Sequence, residues 1–402
     1  MSEVIKIKKI FIAIDNLRVG GIQKSLINFL NEVNDLYEIT LFIYDKDGEY
    51  YKDIPQNIKI ISAPNFFKIL TKSQKEIKNY GYYMYIIRAI LNTVTKLFGN
   101  YLPLQSVFVV APKFKEYDVA ISFSQPYGPK ILAGGTNQFI LSNVTANKKM
   151  AYVHCDFLKY GGNTWVNRCF YKKFDHIISV SDSCRKRFLN ANPSLESKLY
   201  TVYNCHQYDE IKTLSLDNKV IYENNFINVI TVCRLSEEKG LIRTINVFSR
   251  LINEGYLIKW HIVGGGPLYD LLQDEIDLKN LNQYIMLYGE QKNPYRYMTN
   301  ADLFLLPSLH EAAPMVFHES MALNIPILTT NTTSAKEIVE GNNAGWVCEN
   351  TPNGIYSSLK YILENRVNLV NIRNSLMQKD YSNLQSVEQF KLLLELDKVK
   401  RC

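Results

Sequence analysis

The 402-residue sequence lacks the patterns that mark a disulfide-rich, zinc-binding or membrane-spanning protein. Its seven cysteines are odd in number and scattered without a C-x-x-C pair, which argues against a disulfide framework or a zinc site. No run of about 18 apolar residues is present to cross a bilayer. The cysteines are Cys155, Cys169, Cys184, Cys205, Cys233, Cys348 and Cys402. With a first segment that leads straight into a strand without a cleavage-type leader, these absences predict a cytoplasmic protein with reduced thiols.

Internal repeats and low-complexity segments are also absent, and the composition is that of a folded globular protein, with 47% hydrophobic and 21% charged residues. Strand-like and helix-like segments alternate up to about Leu363, which predicts an α/β protein. The length suits two domains, and a polar stretch after Cys205 breaks the alternation. We therefore predict a first domain over 1–205, a linker over 206–225, a second domain over 226–380 and a C-terminal helix in 381–402 that crosses back to the first domain.

Positive charge is concentrated in the first half of the chain. Residues 1–205 contain 27 Lys and Arg residues against 16 Asp and Glu residues. Within it, Asn65–Leu102 interleaves aromatic and aliphatic residues with cations, which is typical of an amphipathic helix at an anionic membrane surface. The cations are Lys68, Lys72, Lys75, Lys78, Arg88 and Lys96. A solvated helix over an ordinary core is the alternative, and no recognition module for nucleic acid accompanies the charge.

Two cations follow a strand-like run in the second half. Ile227–Cys233 is apolar, β-branched and uncharged, which suits a strand buried in a parallel sheet. Arg234 emerges at its end, and Lys239 falls in the first turn of a helix expected from about Glu237. An arginine can donate two parallel hydrogen bonds to phosphate oxygens, and a lysine adds a compact positive charge. The two side chains together at a strand end suit the binding of a pyrophosphate. The alternative is that both are solvated surface cations.

Two glutamates bracket the start of a later helix. Glu311 lies on the loop after the apolar strand Leu303–Leu306, and Glu319 lies about one and a half turns into the helix. Pro314 is placed to open that helix, because a first-turn residue needs no N–H. The free N–H groups of Met315–Phe317 would face an anion. Together, the two cations and the two acidic residues predict a binding site for a sugar nucleotide.

A glycine turn lies between these two segments. The strand-like Lys259–Val263 runs into Gly264, Gly265 and Gly266 and then into a helix. Such a turn lets backbone approach a ligand closely. Alone, it equally suits a tight strand-to-helix connection.

Five segments in the second half of the chain resemble, in the same order, segments of the retaining glycosyltransferases of family 4. They are CRLSEEKG, VGGGP, NPYRYMTNADLFLLPS, the E-x7-E pair and IPILTTNTTSAKEIVEGNNAGWV. These enzymes have the GT-B fold and carry an E-x7-E motif, and the match spans roughly residues 225–350. The resemblance implies two Rossmann-like, doubly wound domains that face a central cleft. It places the nucleotide-sugar site in the second domain and the acceptor site in the first.

The first half resembles the family more loosely. Gly20 and Gly21 take the position of a glycine pair that contacts the donor, although by themselves they are an ordinary strand-to-helix turn. MAYVHCDF resembles the segment whose histidine lies beside the anomeric carbon, which assigns His154 a catalytic role and Asp156 an acceptor-binding role. Without the resemblance, His154 would be taken as a hydrogen-bonded core or rim residue.

The resemblance assigns both reaction and binding roles. The catalytic set is His154, Arg234, Lys239 and Glu311. The donor-binding set is Gly20, Gly21, Arg234, Lys239, Gly264, Gly266, Glu311, Pro314, Met315, Val316 and Glu319. No D-x-D motif lies in the expected place, so we predict no metal and no cofactor beyond the nucleotide sugar as co-substrate, with a UDP-sugar favoured.

The predicted function is transfer of a hexose, with retention, to a polyprenyl-diphosphate-linked saccharide at the inner face of the membrane. Capsule, exopolysaccharide and lipopolysaccharide synthesis are the processes that such a reaction serves. Ala312 and Ala313 stand where the family has a glycine and a bulkier apolar residue, which leaves the hexose open. A glycolipid glycosyltransferase, an inactive GT-B partner subunit that binds acceptor, and a nucleotide-sugar epimerase on the same fold remain alternatives.

Overall fold

The computed structural model describes residues 7–396, so residues 1–6 and 397–402, with Cys402 among them, lie outside the described part of the chain. The chain divides into two compact units. Unit 1 comprises Met1–Cys205 and Asn383–Cys402, and unit 2 comprises His206–Ser382. Each unit is a parallel sheet flanked by helices, which confirms the predicted pair of Rossmann-like α/β domains.

The strands of unit 1 are β1 (Lys9–Asn16), β2 (Glu38–Asp45), β3 (Lys59–Ser62), β4 (Phe114–Ser122), β5 (Val144–Val153), β6 (His176–Ser179) and β7 (Leu199–Thr201). They form a parallel sheet in the order β3-β2-β1-β4-β5-β6-β7. The chain moves outward from β1 to β3 and then returns to place β4 on the other side of β1. The pair β1 and β4 is therefore the switch point, where open α/β sheets bind ligands outside the carboxyl ends of the strands.

The helices of unit 1 before Cys205 are α1 (Gly21–Val33), α2 (Gln74–Ile77), α3 (Tyr82–Phe98), α4 (Tyr101–Val109), α5 (Thr136–Asn143), α6 (Trp165–Lys173) and α7 (Asp182–Ala191). Short 3-10 turns lie at Glu49–Asp53, Asn65–Leu70, Lys78–Tyr80 and Pro193–Lys198. The region predicted as one amphipathic helix is thus several elements. Gly81 ends the first part, because its φ of 115° is incompatible with a continuing helix.

Unit 2 begins with α8 (Tyr208–Leu216), and its strands are β8 (Ile227–Val232), β9 (Ile258–Val263), β10 (Ile285–Leu287), β11 (Leu303–Leu306), β12 (Ile327–Thr330) and β13 (Gly345–Cys348). The parallel order β10-β9-β8-β11-β12-β13 repeats the pattern of unit 1, with its switch point between β8 and β11.

The prediction of a linker over 206–225 needs correction. Ile211 of α8 and Tyr222 are buried in the core of unit 2, and the Tyr222 hydroxyl donates to the Tyr297 carbonyl over 2.6 Å.

The remaining helices of unit 2 are α9 (Leu241–Asn253), α10 (Tyr269–Leu278), α11 (Tyr295–Met298), α12 (Met315–Ala322), α13 (Pro352–Glu364) and α14 (Val367–Met377), with a 3-10 turn at Glu237–Lys239 and a π-helical turn at Lys336–Glu340. The last helix, α15 (Leu384–Glu395), belongs to unit 1. Its buried Phe390 ring meets Phe29 of α1 edge-on, with 4.8 Å between ring centroids. No helix in residues 7–396 is long and apolar enough to cross a bilayer.

Candidate functional site

The cations and the first glutamate of the predicted site lie beyond two neighbouring strands of unit 2. Strands β8 and β11 pair in parallel, with Leu303 opposite Val229, so their carboxyl ends share one edge of the sheet. Arg234 follows β8 by two residues, and Glu311 follows β11 by five. The fold therefore brings residues that are more than seventy positions apart to the switch point of the sheet.

Lys239 and Glu311 are in direct contact. The Nζ atom of Lys239 lies 2.5 Å from Oε1 of Glu311, and the two side chains are only 18% and 12% exposed. Burial by itself lowers the pKa of Lys239, but the charge of Glu311 and its hydrogen bond outweigh burial and leave that pKa raised. The lysine therefore stays charged, held beside a carboxylate at the sheet edge.

Arg234 is exposed at the same edge. Its charge acts on Glu238, whose pKa reports the local field. Burial raises the pKa of Glu238, whereas a hydrogen bond from Ser236 and the charges of Lys239 and Arg234 leave it lowered. Both predicted cations therefore act on one carboxylate, as expected for neighbouring positive groups.

The loop that carries Glu311 is held by side chains absent from the predicted set. Ser308 donates its hydroxyl to Oε1 of Glu311 over 2.8 Å. Arg243 of α9 donates to the Pro307 carbonyl over 2.8 Å, and Asn350 donates to the Leu309 carbonyl over 3.1 Å. Ser308 follows the buried strand β11 by two residues, just as Arg234 follows β8. The same sequence pattern could therefore have predicted Ser308 as a site residue.

The helix expected from about Glu237 begins later. Glu237–Lys239 is a 3-10 turn, Gly240 follows with a φ of 66°, and α9 starts at Leu241. A Cβ atom on Gly240 would lie 2.4 Å from the Pro307 carbonyl oxygen. This close approach of two backbones draws Lys239 toward the loop after β11, which explains why it meets Glu311.

The helix that carries Glu319 also differs in detail from the prediction. Pro314 is the N-cap residue with a ψ of 122°, and Met315 is the first residue of α12. The Phe317 N–H donates to the Pro314 carbonyl over 3.3 Å, so only the N–H groups of Met315 and Val316 remain in the predicted anion-facing set. Glu319 lies within α12 and is 4% exposed.

The glycine turn at residues 264–266 lies in close contact with another segment of the protein's own backbone. A Cβ atom on Gly264 would lie 1.8 Å from the Cys233 carbonyl oxygen, and one on Gly266 would lie 2.4 Å from that of Leu235. The Leu235 N–H also donates to the Gly265 carbonyl over 2.9 Å. These glycines therefore admit the loop that presents Arg234, as a tight strand-to-helix connection does, and the donor-binding role of Gly264 and Gly266 stays a prediction.

Gly20 and Gly21 lie at the switch point of unit 1, between β1 and α1. Helix α1 begins at Gly21, and Gly20 has an extended backbone with a φ of 177°. A Cβ atom on Gly20 would meet the Oε1 atom of Gln23 at 2.5 Å, which is the movable end of a side chain. The backbone therefore does not itself require glycine at position 20.

A buried carboxyl group lies at the same switch point and was missed from the sequence. Asp15 accepts hydrogen bonds from the Ser124 hydroxyl over 2.8 Å and from the Tyr127 hydroxyl over 3.0 Å. Burial raises its pKa, although these hydrogen bonds oppose the effect. An acid at the end of an apolar strand is the signal that would have found it.

His154 follows β5, and its ring lies near Tyr152 and Phe123, with centroid distances of 5.1 and 4.8 Å. Burial lowers the pKa of His154 to about 4, so the imidazole is neutral. Its Nε2 atom is buried with no hydrogen-bond partner among the described residues. By contrast, the predicted acceptor residue Asp156 accepts from Arg187 over 3.0 Å and from the Leu158 N–H over 3.1 Å. These contacts hold the carboxylate in place within unit 1, and its acceptor-binding role stays a prediction.

A cavity of about 350 Å³ in unit 1 is lined by none of these predicted site residues. Within residues 7–396, no cluster of three or more His, Cys, Asp or Glu side chains could hold a metal ion.

Two doubly wound parallel sheets, each with polar residues at its switch point, define the GT-B class of architecture. The Anabaena protein HepE in complex with UDP shares this fold, with a TM-score of 0.67, 15% identity and coverage of 96% of this chain and 99% of HepE. The fold predicted by the resemblance is therefore confirmed.

Residues 216–381, which lie in unit 2, match the family described as Glycosyl transferases group 1. The matched range contains Arg234, Lys239, Glu311 and Glu319. The finer assignment to family 4 stays a prediction.

Two curated relatives are glycosyltransferases by name. The capsular polysaccharide biosynthesis glycosyltransferase CapM of Staphylococcus aureus is 24% identical over 50% of this chain and 54% of CapM. The N-acetylgalactosamine-N,N'-diacetylbacillosaminyl-diphospho-undecaprenol 4-alpha-N-acetylgalactosaminyltransferase of Campylobacter jejuni is 27% identical over 52% of this chain and 57% of that enzyme. The chain thus spans about half the length of these two curated relatives in the matched region.

Proposed function

We propose that the protein is a retaining glycosyltransferase that moves a hexose from a nucleoside-diphosphate sugar, with UDP as the favoured nucleotide, to a membrane-associated saccharide acceptor. The observation that carries the proposal is the contact between Lys239 and Glu311 beside Arg234 at the switch point of unit 2. The match of residues 216–381 to the family described as Glycosyl transferases group 1 supports the same conclusion.

The cations stabilise the leaving group. As the bond between the anomeric carbon and the phosphate oxygen breaks, negative charge gathers on the nucleoside diphosphate. Lys239 and Arg234 supply preorganised positive charge where it develops, and this electrostatic contribution is often the largest in catalysis. Because Lys239 is already held by Glu311, its ammonium needs little reorganisation when the donor arrives.

The carboxylates hold the sugar and the ribose. Glu311 accepts hydrogen bonds from hydroxyl groups of the donor hexose and favours the developing oxocarbenium ion. Glu319 accepts hydrogen bonds from the ribose hydroxyls, and Pro314, Met315 and Val316 at the start of α12 line the phosphate end. The roles of Gly20, Gly21 and His154 follow from the resemblance in the same way.

Retention is explained by attack on the front face of the sugar. The acceptor hydroxyl forms a bond to the anomeric carbon on the side from which the diphosphate leaves, and its proton passes to an oxygen of the departing phosphate. No carboxylate in the sequence can be named as a covalent nucleophile, which favours this route over a double displacement.

The proposed acceptor is a polyprenyl-diphosphate-linked saccharide used in capsule, exopolysaccharide or lipopolysaccharide synthesis. The name of the Campylobacter jejuni relative includes a diphospho-undecaprenol acceptor, and CapM is named for capsule synthesis. The excess of Lys and Arg in residues 1–205 suits an acceptor at an anionic membrane surface, so peripheral attachment at the inner membrane face is part of the proposal.

A ligand screen tests the donor. We expect UDP-sugars to raise the melting temperature of the protein more than GDP-, ADP- or CMP-sugars at equal concentration, because a ligand that binds the folded state stabilises it by mass action. Lys239→Ala should abolish most of this shift and reduce transfer by about 100-fold or more, since it removes a charge that acts on the leaving group.

Lys292→Ala is the matched control, because this exposed lysine of unit 2 lies outside the proposed site. It should leave donor binding and transfer unchanged. If Lys239→Ala and Glu319→Ala both retained wild-type donor hydrolysis and transfer, the donor assignment would be wrong.

A further inference from the structure

Helix α3 of unit 1 turns an apolar face away from the protein. Tyr83, Ile87, Ile90, Leu97 and Phe98 are 84%, 46%, 57%, 64% and 80% exposed. Their spacing of three to four residues, bridged by the half-buried Val94, places them along one side of the helix. No described residue covers these side chains enough to bury them.

The opposite side of α3 faces the protein, where Met84, Tyr85 and Leu91 pack half-buried against the core of unit 1 beside polar groups. Arg88 donates from Nε to the Ile69 carbonyl and from one terminal nitrogen to Oε1 of Gln74, each over 3.1 Å. Thr95 is fully buried on this inner side. An ordinary surface helix is apolar toward the core and polar toward water, whereas α3 is also apolar on its outer side.

The apolar surface continues onto α4. Gly99 and Asn100 connect the two helices, which pack against each other, and Leu102 is 66% exposed. We call Tyr83, Ile87, Ile90, Leu97, Phe98 and Leu102 the docking face. Such a contiguous exposed apolar surface marks an interaction site in a folded protein.

The charge around the docking face has a single sign. Residues 77–115 contain no Asp or Glu but include five cations. These cations are Lys78, Arg88, Lys96, Lys113 and Lys115. Lys78, in the 3-10 turn before α3, and Lys96, in the last turn of α3, are exposed and hence able to meet negative groups outside the protein.

A cationic cavity adjoins this surface. Its volume is about 350 Å³, and Arg88 from the inner side of α3, Lys130 and the half-exposed Ile131 contribute to its lining. No carboxylate lines it, so its chemistry suits a phosphate group.

From these observations we infer that the docking face rests on a lipid bilayer that contains anionic lipids, with α3 lying in the plane of the interface. The inference rests on the proposed function, since it names the surface by which the enzyme would reach a lipid-linked acceptor. Apolar side chains and tyrosine rings enter the headgroup boundary, and the lysines meet the lipid phosphates.

A second copy of the chain fits this surface less well. In a two-fold symmetric dimer the same patch meets itself. The docking face would then bring two sets of cations together with no acid in residues 77–115 to pair with them. Anionic lipid supplies the complementary charge.

Vesicle flotation with the full chain tests the inference. We expect the protein to float with vesicles of phosphatidylcholine and phosphatidylglycerol and to stay in the aqueous fraction with phosphatidylcholine alone. Bound protein should be released at about 1 M salt if charge dominates, because the Debye length is then ~3 Å. Flotation that does not depend on the anionic lipid would contradict the role of the lysines.

Two variants separate the apolar and the charged contributions. Ile87→Ser combined with Ile90→Ser should lower the vesicle partition coefficient by about tenfold or more, because two apolar side chains no longer enter the boundary. Replacement of Lys78, Lys96 and Lys113 by Gln should lower it by a similar factor at low salt.

The matched controls lie on unit 2. Leu216→Ser combined with Leu278→Ser changes two side chains that are 70% and 75% exposed. Replacement of Lys212, Lys219 and Lys292 by Gln removes the same charge from exposed positions. Both controls should float as the wild type does, and equal losses in controls and test variants would overturn the inference.

The melting-temperature shift with UDP-sugar separates this inference from the proposed function. Docking-face variants that lose flotation but keep the UDP shift support the bilayer contact. A wild-type chain that keeps the UDP shift but never floats overturns the bilayer contact alone. The bilayer contact is also overturned if the wild-type chain is a dimer in solution that does not bind vesicles, and if Ile87→Ser with Ile90→Ser converts that dimer to a monomer. A wild-type chain that floats without any nucleotide-sugar shift overturns the proposed function instead.

Discussion

At the scale of single residues, backbone contacts distinguish glycines that the fold needs from those that it does not. Gly264 has a φ of 148° and faces the Cys233 carbonyl at a distance that no Cβ atom tolerates. Gly20 has an extended backbone, and its nearest neighbour is the movable end of Gln23. Packing thus explains why residue 264 is a glycine. Packing does not explain the glycine at position 20, for which contact with the donor stays a prediction.

This difference predicts opposite outcomes for the same substitution. Gly264→Ala should destabilise unit 2 by about 3 kcal/mol or more, because it adds backbone strain and a clash. Gly20→Ala should change the free energy of unfolding by less than about 1 kcal/mol while raising the KM for the donor, if the loop touches the donor. Thermal unfolding and transfer kinetics measure the two effects. Unchanged kinetics in Gly20→Ala would remove Gly20 from the donor-binding set.

At the scale of elements, the last helix is part of unit 1 although it follows unit 2 in the sequence. Phe390 of α15 is fully buried and meets Phe29 and Tyr37, with centroid distances of 4.8 and 6.1 Å. The Tyr203 N–H also donates to the side chain of Gln389 over 3.1 Å. The helix therefore stabilises the first unit by burial and a polar contact.

Phe390→Ala should destabilise unit 1 by about 3–5 kcal/mol, because it removes a buried aromatic ring and leaves a cavity. Leu392→Ala is the control on the same helix, since Leu392 is 61% exposed and its truncation should cost little. Calorimetry with the two variants measures the difference. Equal melting temperatures for both variants would show that α15 does not contribute to the core of unit 1.

At the scale of the whole molecule, both units hold histidines whose charged form is disfavoured. Burial lowers the pKa from 6.5 to about 4 for His154 in unit 1 and for His318 in unit 2. Burial also lowers the pKa of His261 to about 3, and this side chain is 2% exposed between Tyr288 and Asn228. The folded chain therefore binds fewer protons than the unfolded chain between these values and 6.5.

Acidification should therefore weaken the fold. Stability rises with pH wherever the unfolded state binds more protons, so it falls as the pH drops below about 6.5. Between about pH 7 and 5, each such histidine should lower the free energy of unfolding by about 1–2 kcal/mol. Thermal melts at constant ionic strength measure this trend. A melting temperature that stays constant or rises on acidification would contradict it.

Several parts of the site were predictable because they depend on local pattern. The uncharged run before Arg234 and the strand before Glu311 were found at nearly their observed bounds, since buried parallel strands are continuous apolar runs. Pro314 marked the start of α12 to within one residue. Asp15 and Ser308 escaped notice, although both lie at the end of an apolar strand.

Other features depended on contacts between distant segments. The late start of α9 follows from the approach of Gly240 to Pro307, and the burial of the expected linker follows from the contact between Tyr222 and Tyr297. Helical periodicity in the sequence did not indicate which side of α3 would face the protein.

Local pattern was enough to predict the two-domain α/β class, several of the strands and the order of the charged motifs, because hydrophobic periodicity and strand-end residues are local properties. The folded structure was needed to show that Lys239 pairs with Glu311, that Gly264 lies against the Cys233 backbone and that α3 also presents apolar residues to solvent. Those outcomes depend on which strands become neighbours and which surfaces remain uncovered, and neither is encoded within a single short segment.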